Sequence, residues 1–341
     1  MTDSLMAQEV REIPEAVARL LDDGAQAIRE VADAARALDP AYIATVARGS
    51  SDHVCTYLKY VAELTLGLPV ASIGPSVASI YKAPLRLSGA LTISVSQAGQ
   101  SPDIVDLARA ARAGGALTVA ITNHPQSPLA LASDRTLALH AGPERSVAAT
   151  KTFVTSAVAG VAMIAEWTRD EGLLSAIAGL PEALSNAVAL DWPELREALT
   201  EAQSLYTLGR GPAYAMSNEA ALKFKEVAQI HAESYSSAEV LHGPVAIVGA
   251  DFPVLAFAAA DAAEPGIVET ADAIAGKGAR VFVTSGQARV ATALPVVRTG
   301  HPLTDPLALI ATFYAMVERI AVAKGFDPDT PRHLHKVTET V

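Results

Sequence analysis

Between Lys223 and Pro244 the chain reads KFKEVAQIHAESYSSAEVLHGP, with two lysines, three carboxylates and two histidines in 22 positions. Half of the 341 residues are apolar and 18% are charged, so this density of titratable groups stands out from its surroundings. A helical pattern runs from about Ser217 to Ala232. On it Lys223, Glu226 and Ile230 recur at spacings of three and four, which places their side chains on one face. Downstream, SYSSAEVLHGP puts Glu239 and His242 in a turn-rich segment closed by Gly243 and Pro244, a conformation that can aim a histidine across a cleft. A carboxylate, an ammonium and an imidazole that meet form an acid/base set suited to opening a sugar ring and moving a proton between adjacent carbons. The competing reading is a solvated Lys-Glu pair on a helix surface. His231, within the same helical pattern, reads as a structural histidine.

A second chemical signal is SQAGQSPD, which ends an apolar strand and opens a helix. Ser101 is placed as N-cap, Pro102 at the first helical position and Asp103 beside it. Unbonded backbone N–H groups at that terminus, with the hydroxyls of Ser96 and Ser101, suit an anion such as phosphate. Asp103 opposes this, because its charge competes for the same terminus. The loop has no Gly-Lys-Ser/Thr and is not a P-loop, while GRGPAYA at Gly209 has two of the three glycines of a dinucleotide fingerprint.

The elements that position these groups occur twice. YIATVARGSSDHV at Tyr42 and LYTLGRGPAYAM at Leu205 begin alike, and ARAGGALTVAITN resembles AIAGKGARVFVTS. Arg48 and Arg210 stand 162 positions apart (210 less 48), and so do Gly114 and Gly276 (276 less 114), a constant offset that argues for duplication. Each copy alternates apolar runs of strand length with helical patterns, the signature of parallel sheets covered on both faces. The chain thus reads as α/β, with two tandem doubly wound, flavodoxin-like domains and flanking helices. The expected divisions are a helical segment over 1–41, a first domain over 42–170, a helical connection over 171–204, a second domain over 205–325 and a tail over 326–341. Ligands of such sheets sit beyond the C-terminal strand ends, where strand order reverses. In the first copy those ends carry ARGSSDHV and SVSQAGQSPDIVDL. In the second copy the place of SQAGQSPD is taken by AAADAAEPGIVETA, so one anion site is expected, in the first half.

A net charge of −11 disfavours nucleic acid and anionic membranes. The single cysteine, Cys55, permits no intramolecular disulfide and suits a reducing compartment. No secretory pattern opens the chain, and apolar stretches such as VTSAVAGVAMIAEW stop short of the roughly 18 to 20 residues that span a bilayer. A cytoplasmic location follows as the expectation.

Taken together, LKFKEVAQIHAESYSSAEVLHGP, SQAGQSPD, RGSSDHV, SVAATKTF and the C-terminal PRHLHKVTETV resemble the isomerase half of glucosamine-6-phosphate synthase, a pair of sugar isomerase (SIS) domains. The resemblance runs from about Met6 to Val341. It implies that Glu226 moves the proton between C1 and C2, that His242 assists ring opening from the partner subunit of a homodimer, and that Lys223 orients the oxygens near C1 and C2. Lys336 matches the family lysine that contacts the open sugar, beside His335, which replaces a small residue. Gly49, Ser50, Ser51, Ser96, Gln97 and Ser101 would hold the phosphate, with Val147 and Thr150 lining the pocket and Lys151 supporting the loop. No metal or organic cofactor is implied, since the substrate's own carbonyl acidifies the proton that moves.

Synthases of this family carry a glutaminase domain with an N-terminal cysteine nucleophile. Here Cys55 falls inside a helical pattern, and no such domain is expected. The implied direction is therefore the reverse one, as in stand-alone SIS-type glucosamine-6-phosphate deaminases: amino sugar and water in, fructose 6-phosphate and ammonia out. Two alternatives compete. A deglycase would use the same proton transfer on phosphorylated fructosamines, and a sugar-phosphate sensor would need no acid/base set.

Overall fold

Strand Ile43–Val46 is buried at every position, and so is Leu91–Val95, which identifies strands covered by helices on both faces. In the computed structural model, which describes residues 3–336, the chain divides into two units. Residues 15–144, 151–178 and 335–336 make the amino-terminal unit; residues 3–14, 145–150 and 179–334 make the carboxy-terminal one. The leading helices are thus shared out. Helix α1 (Leu5–Arg11) belongs to the carboxy-terminal unit, where Asp329 accepts from the N–H groups of Leu5 and Met6 at 2.7 and 2.8 Å. Most of α2 (Ile13–Asp23) and all of α3 (Ala25–Leu38) belong to the amino-terminal unit.

In the amino-terminal unit the order is β1 (Ile43–Val46), α4 (Ser50–Thr65), β2 (Val70–Ser72), α5 (Ser76–Ser79), β3 (Leu91–Val95), α6 (Pro102–Ala113), β4 (Leu117–Thr122), α7 (Pro128–Ala132), β5 (Arg135–Ala138), α8 (Lys151–Thr168) and α9 (Glu171–Ala178). The carboxy-terminal unit continues with α10 (Leu180–Ala189), α11 (Pro193–Thr200), β6 (Ser204–Gly209), α12 (Pro212–Val227) and β7 (His231–Ser236). It closes with β8 (Pro253–Ala256), α13 (Glu264–Ala275), β9 (Arg280–Val283), β10 (Thr292–Ala293) and α14 (Asp305–Ala323). The first sheet has the order β2-β1-β3-β4-β5 and the second β10-β9-β8-β6-β7, all pairs parallel. Read from opposite edges these are one topology, with its switch point between β1 and β3 in one sheet and β6 and β8 in the other. Helices α4 and α12 begin 162 positions apart (212 less 50), as do α6 and α13 (264 less 102). The duplication therefore extends to element boundaries.

Two departures from the sequence reading have physical causes. The helix expected to reach Ala232 stops at Val227, because Gln229 takes a left-handed conformation (φ 51°) and His231–Ser236 pairs with β6. His231 is accordingly a strand residue, 3.4 Å from Ser204 Oγ. Helix α14 is long and apolar enough to cross a membrane by length and composition, contrary to the expectation that no stretch is. From Asp305 to Ala321 every residue but Arg319 is buried, and α10 and α12 pack against it as a core helix.

Candidate active site

In the carboxy-terminal unit α12 starts at Gly211, whose φ of 60° opens the turn after β6. Its inner face carries Glu219, Lys223 and Glu226 at intervals of four and three. Lys223 is fully buried, with Nζ 3.1 Å from Glu219 Oε1 and 2.6 Å from Glu226 Oε2. Tyr314 of α14 donates its hydroxyl to Glu219 Oε1 at 3.0 Å, so the inner carboxylate is held from two helices. Burial by itself would lower the lysine's pKa, but the two carboxylates and their hydrogen bonds outweigh it and hold the pKa above the ordinary lysine value. Lys223 is a fixed cation. Glu226 differs from Glu219 in being 21% exposed at its side chain, and it lines a cavity of about 330 Å³. A carboxylate anchored on one oxygen side and reachable from a cavity can exchange a proton with a bound molecule.

His242 ends a 3-10 turn, Glu239–His242, whose buried Val240 is its anchor; Tyr206 donates to Pro244 O at 3.1 Å just beyond. The imidazole is exposed and makes no hydrogen bond or ion pair among the described residues. Lys223 and Glu226 are thus brought together, while His242 makes no hydrogen bond or ion pair with either among the described residues.

In the amino-terminal unit Arg48 and Gly49 (φ 56°) turn the chain from β1 into α4, which begins at Ser50 and Ser51. After β3, Ser96 Oγ accepts from Gly99 N at 3.1 Å, and Gln97 O accepts from Thr122 Oγ1 and Asn123 N, both at 3.1 Å. Ser101 is the N-cap residue of α6, as expected, but its hydroxyl does not bond to the helix. The side chains of Ser51, Gln97 and Ser101 make no hydrogen bond among the described residues. Their polar groups are unspent at the C-terminal edge of the sheet. Asp103, the objection to an anion here, is buried and receives Arg48 Nε and Nη2 on Oδ2 at 3.0 and 2.7 Å. The guanidinium offsets its charge.

At the equivalent place in the second copy the backbone donors are already occupied. Ala260 N bonds to Asp305 at 2.9 Å, Ala263 N to Asp261 and Ala258 N to Thr284 Oγ1, each at 2.8 Å. Arg298 bridges Asp305, Glu264, Ala258 O and Thr284 O. This loop is closed by its own side chains.

Further along the amino-terminal unit, Glu144 accepts Thr152 N at 3.0 Å, Thr152 Oγ1 at 2.6 Å and Lys336 Nζ at 3.0 Å, so the tail lysine is held at the start of α8. Lys151 donates to Pro143 O at 2.8 Å, and His335 is exposed. Val147 and Thr150 lie in the carboxy-terminal unit; Val147 N reaches Asp329 O at 3.4 Å and Thr150 is buried. Glu144, Glu219, Tyr314 and the Arg48-Asp103 pair were not singled out in the sequence. Glu219 alone had a readable signal, at four residues before Lys223. No cluster of three or more His, Cys, Asp or Glu side chains among the described residues is placed to hold a metal.

A family model described as the SIS domain matches residues 39–166 and 198–285. The glutamine–fructose-6-phosphate aminotransferase (isomerizing) of Zymomonas mobilis is 30% identical over 358 residues, covering 97% of this chain and 58% of that protein. The chain therefore spans somewhat over half the length of this curated relative. A crystal structure from Silicibacter pomeroyi, of a protein provisionally described as a phosphosugar isomerase, is 62% identical with a TM-score of 0.94, covering 96% of this chain and 100% of that one. The C-terminal domain of glucosamine-fructose-6-phosphate aminotransferase from Francisella tularensis is 25% identical with a TM-score of 0.85, covering 97% and 99%.

Proposed function

Because the chain belongs to the SIS domain family, we propose that it is a phosphosugar isomerase acting as a deaminase, which converts glucosamine 6-phosphate and water to fructose 6-phosphate and ammonia. The observation that carries this reading is the Lys223-Glu226 pair, a buried permanent cation bonded to a carboxylate that a cavity reaches. The polar groups of Ser51, Ser96, Gln97 and Ser101, with the start of α6, are assigned to the phosphate. The names of the relatives, which join fructose 6-phosphate to an amino sugar, support the substrate class.

In this mechanism His242, contributed by a second copy, transfers a proton as the pyranose opens. Glu226 then takes the C2 proton, leaving an enolamine. Returning that proton to C1 gives a C2 imine. Water adds to C2, the C2–N bond breaks, a C2 carbonyl forms and ammonia leaves. Lys223, bonded to Glu226 Oε2 at 2.6 Å, holds the carboxylate in place as it carries the proton between the two carbons. Mass action favours release, since water is abundant and free ammonia is scarce.

The test is formation of ammonia and ketose 6-phosphate from glucosamine, galactosamine and mannosamine 6-phosphates side by side. Turnover of the gluco sugar with equal yields of the two products is expected. Absence of ammonia from all three sinks the reading.

A further inference from the structure

His242 sits on an exposed turn that must nonetheless present its imidazole at one place. Glu239–His242 and Pro244–Ile247 are consecutive 3-10 turns, and Leu241, His242 and Gly243 are all exposed. Val240 before the histidine is buried in the core of the carboxy-terminal unit, and Val245 and Val248 after it pack against the same cluster. Such apolar contacts are non-directional, so they keep the turn on the sheet without fixing where the imidazole points. The directional tie is Tyr206, whose hydroxyl donates to Pro244 O at 3.1 Å, two residues past His242. Among the described residues this is the one side-chain hydrogen bond that 239–248 receives, and Tyr206 makes no other.

Tyr206 is itself built to hold still. It lies on β6 between β7 and β8, paired with Glu233 on one side and Val254 on the other. Its ring is 3% exposed and meets Tyr235 and Phe252 edge to face, at centroid distances of 5.1 and 5.0 Å. Tyr235 is fastened in turn, donating its hydroxyl to Glu233 Oε2 at 2.8 Å. The duplication supplies an internal comparison. At the same offset of 162 (206 less 44) the first copy has Ala44, and the segment that follows its edge strand β2, SIGPSVASIYKAP, contains no histidine. The copy without the histidine turn is also without the tyrosine.

We propose that Tyr206 is a positioning residue for His242, fixing the turn at Pro244 O so that the imidazole meets the ring oxygen of the sugar as the pyranose opens. Placement within a fraction of an ångström is what a proton transfer of this kind requires. The inference rests on the role given to His242 in the proposed mechanism.

The test uses Tyr206→Phe, which removes the hydroxyl and keeps the ring, beside His242→Gln and the double variant. Hydrogen exchange read by mass spectrometry is expected to quicken about tenfold over 239–248 in Tyr206→Phe and to stay unchanged over α12, in proportion to one lost hydrogen bond. With glucosamine 6-phosphate, kcat should fall about tenfold while KM stays within about twofold, and the double variant should be no slower than His242→Gln. A tyrosine that only stabilised the unit would quicken exchange in α12 as well, and its loss of activity would multiply with that of His242→Gln. Either result overturns the proposal, as does unchanged exchange over 239–248. If Tyr206→Phe fails to fold, the wild type decides: protected amides over 245–248 support the tie, and amides as fast as those of an unstructured peptide overturn it. If the wild type forms no ammonia, the deaminase reading falls, while the exchange data still decide whether Tyr206 holds the turn.

Discussion

Lys223 Nζ lies 2.6 Å from Glu226 Oε2, with the lysine wholly buried and the glutamate side chain 21% exposed. In the proposed mechanism the two take different parts: the wholly buried ammonium, flanked by two carboxylates, fixes the charge, and the carboxylate that reaches a cavity meets the substrate. Glu226→Gln keeps the shape and the hydrogen bond to Lys223 but removes the base. Turnover of glucosamine 6-phosphate is expected to fall by about 10²–10⁴-fold with KM little changed, the range for loss of a general base. A ketose 6-phosphate assay checks this, and activity within a few-fold of wild type would remove Glu226 from the mechanism.

The same cluster predicts how stability depends on pH. Lys223→Met leaves Glu219 buried without its ammonium and is expected to cost about 3–5 kcal/mol, whereas Glu219→Gln, which leaves Lys223 paired with Glu226, should cost less. Because the pKa of Lys223 is raised in the folded state, its contribution is fully present below the ordinary lysine value of 10.5. It is lost as pH rises through the higher folded value. Urea unfolding at pH 8 and above pH 10.5 should show the wild-type midpoint falling across that window, with a smaller fall for Lys223→Met.

Gly99 closes the loop after β3 with φ 62°, and a methyl group there would lie 2.2 Å from Ser127 Oγ and 2.6 Å from Ser127 Cβ. Ser127 cannot easily yield, since it caps α7 through Ala130 N. Gly99→Ala is therefore expected to lose about 1–3 kcal/mol of stability through overpacking, beyond the strain of its φ. As Gly99 N donates to Ser96 Oγ, displacement of the loop should also raise KM for glucosamine 6-phosphate while leaving kcat within a few-fold. Thermal melts and steady-state kinetics check the two parts. An unchanged KM in a folded variant would argue against this loop as the phosphate site.

The architecture was legible because duplication preserves spacing: the offset of 162 between Arg48 and Arg210 also separates the starts of α4 and α12. The end of α12 was not legible. Val227, Ala228, Ile230 and Ala232 continue an apolar helical spacing, and the break comes from the left-handed Gln229 and the demand of β6 for a parallel partner. The site followed the same division. Lys223 and Glu226 meet through helix geometry, which spacing reveals. Tyr314 reaches Glu219 from 95 residues away, and Arg48 reaches Asp103 from 55. Contacts of that range depend on how helices pack around each sheet, which residue types and periodicity leave open.

Glu144 links the tail to the start of α8, accepting Lys336 Nζ at 3.0 Å on the oxygen that also receives Thr152 Oγ1 at 2.6 Å. The carboxylate side chain is wholly buried while Lys336 is 25% exposed, so the tail lysine is docked by a charge that cannot move away. Glu144→Gln retains an acceptor for Thr152 but removes that charge. If Lys336 acts on the opened sugar, this variant is expected to slow turnover by roughly tenfold, through the position of Lys336, in proportion to a lost charge-assisted hydrogen bond. Trypsin should also cleave after Lys336 sooner than in the wild type, a readout independent of catalysis. Lys336→Ala provides the comparison, because its activity should fall at least as far and combining it with Glu144→Gln should add little. Full additivity in the double variant would show that Glu144 acts on α8 alone and not through the tail.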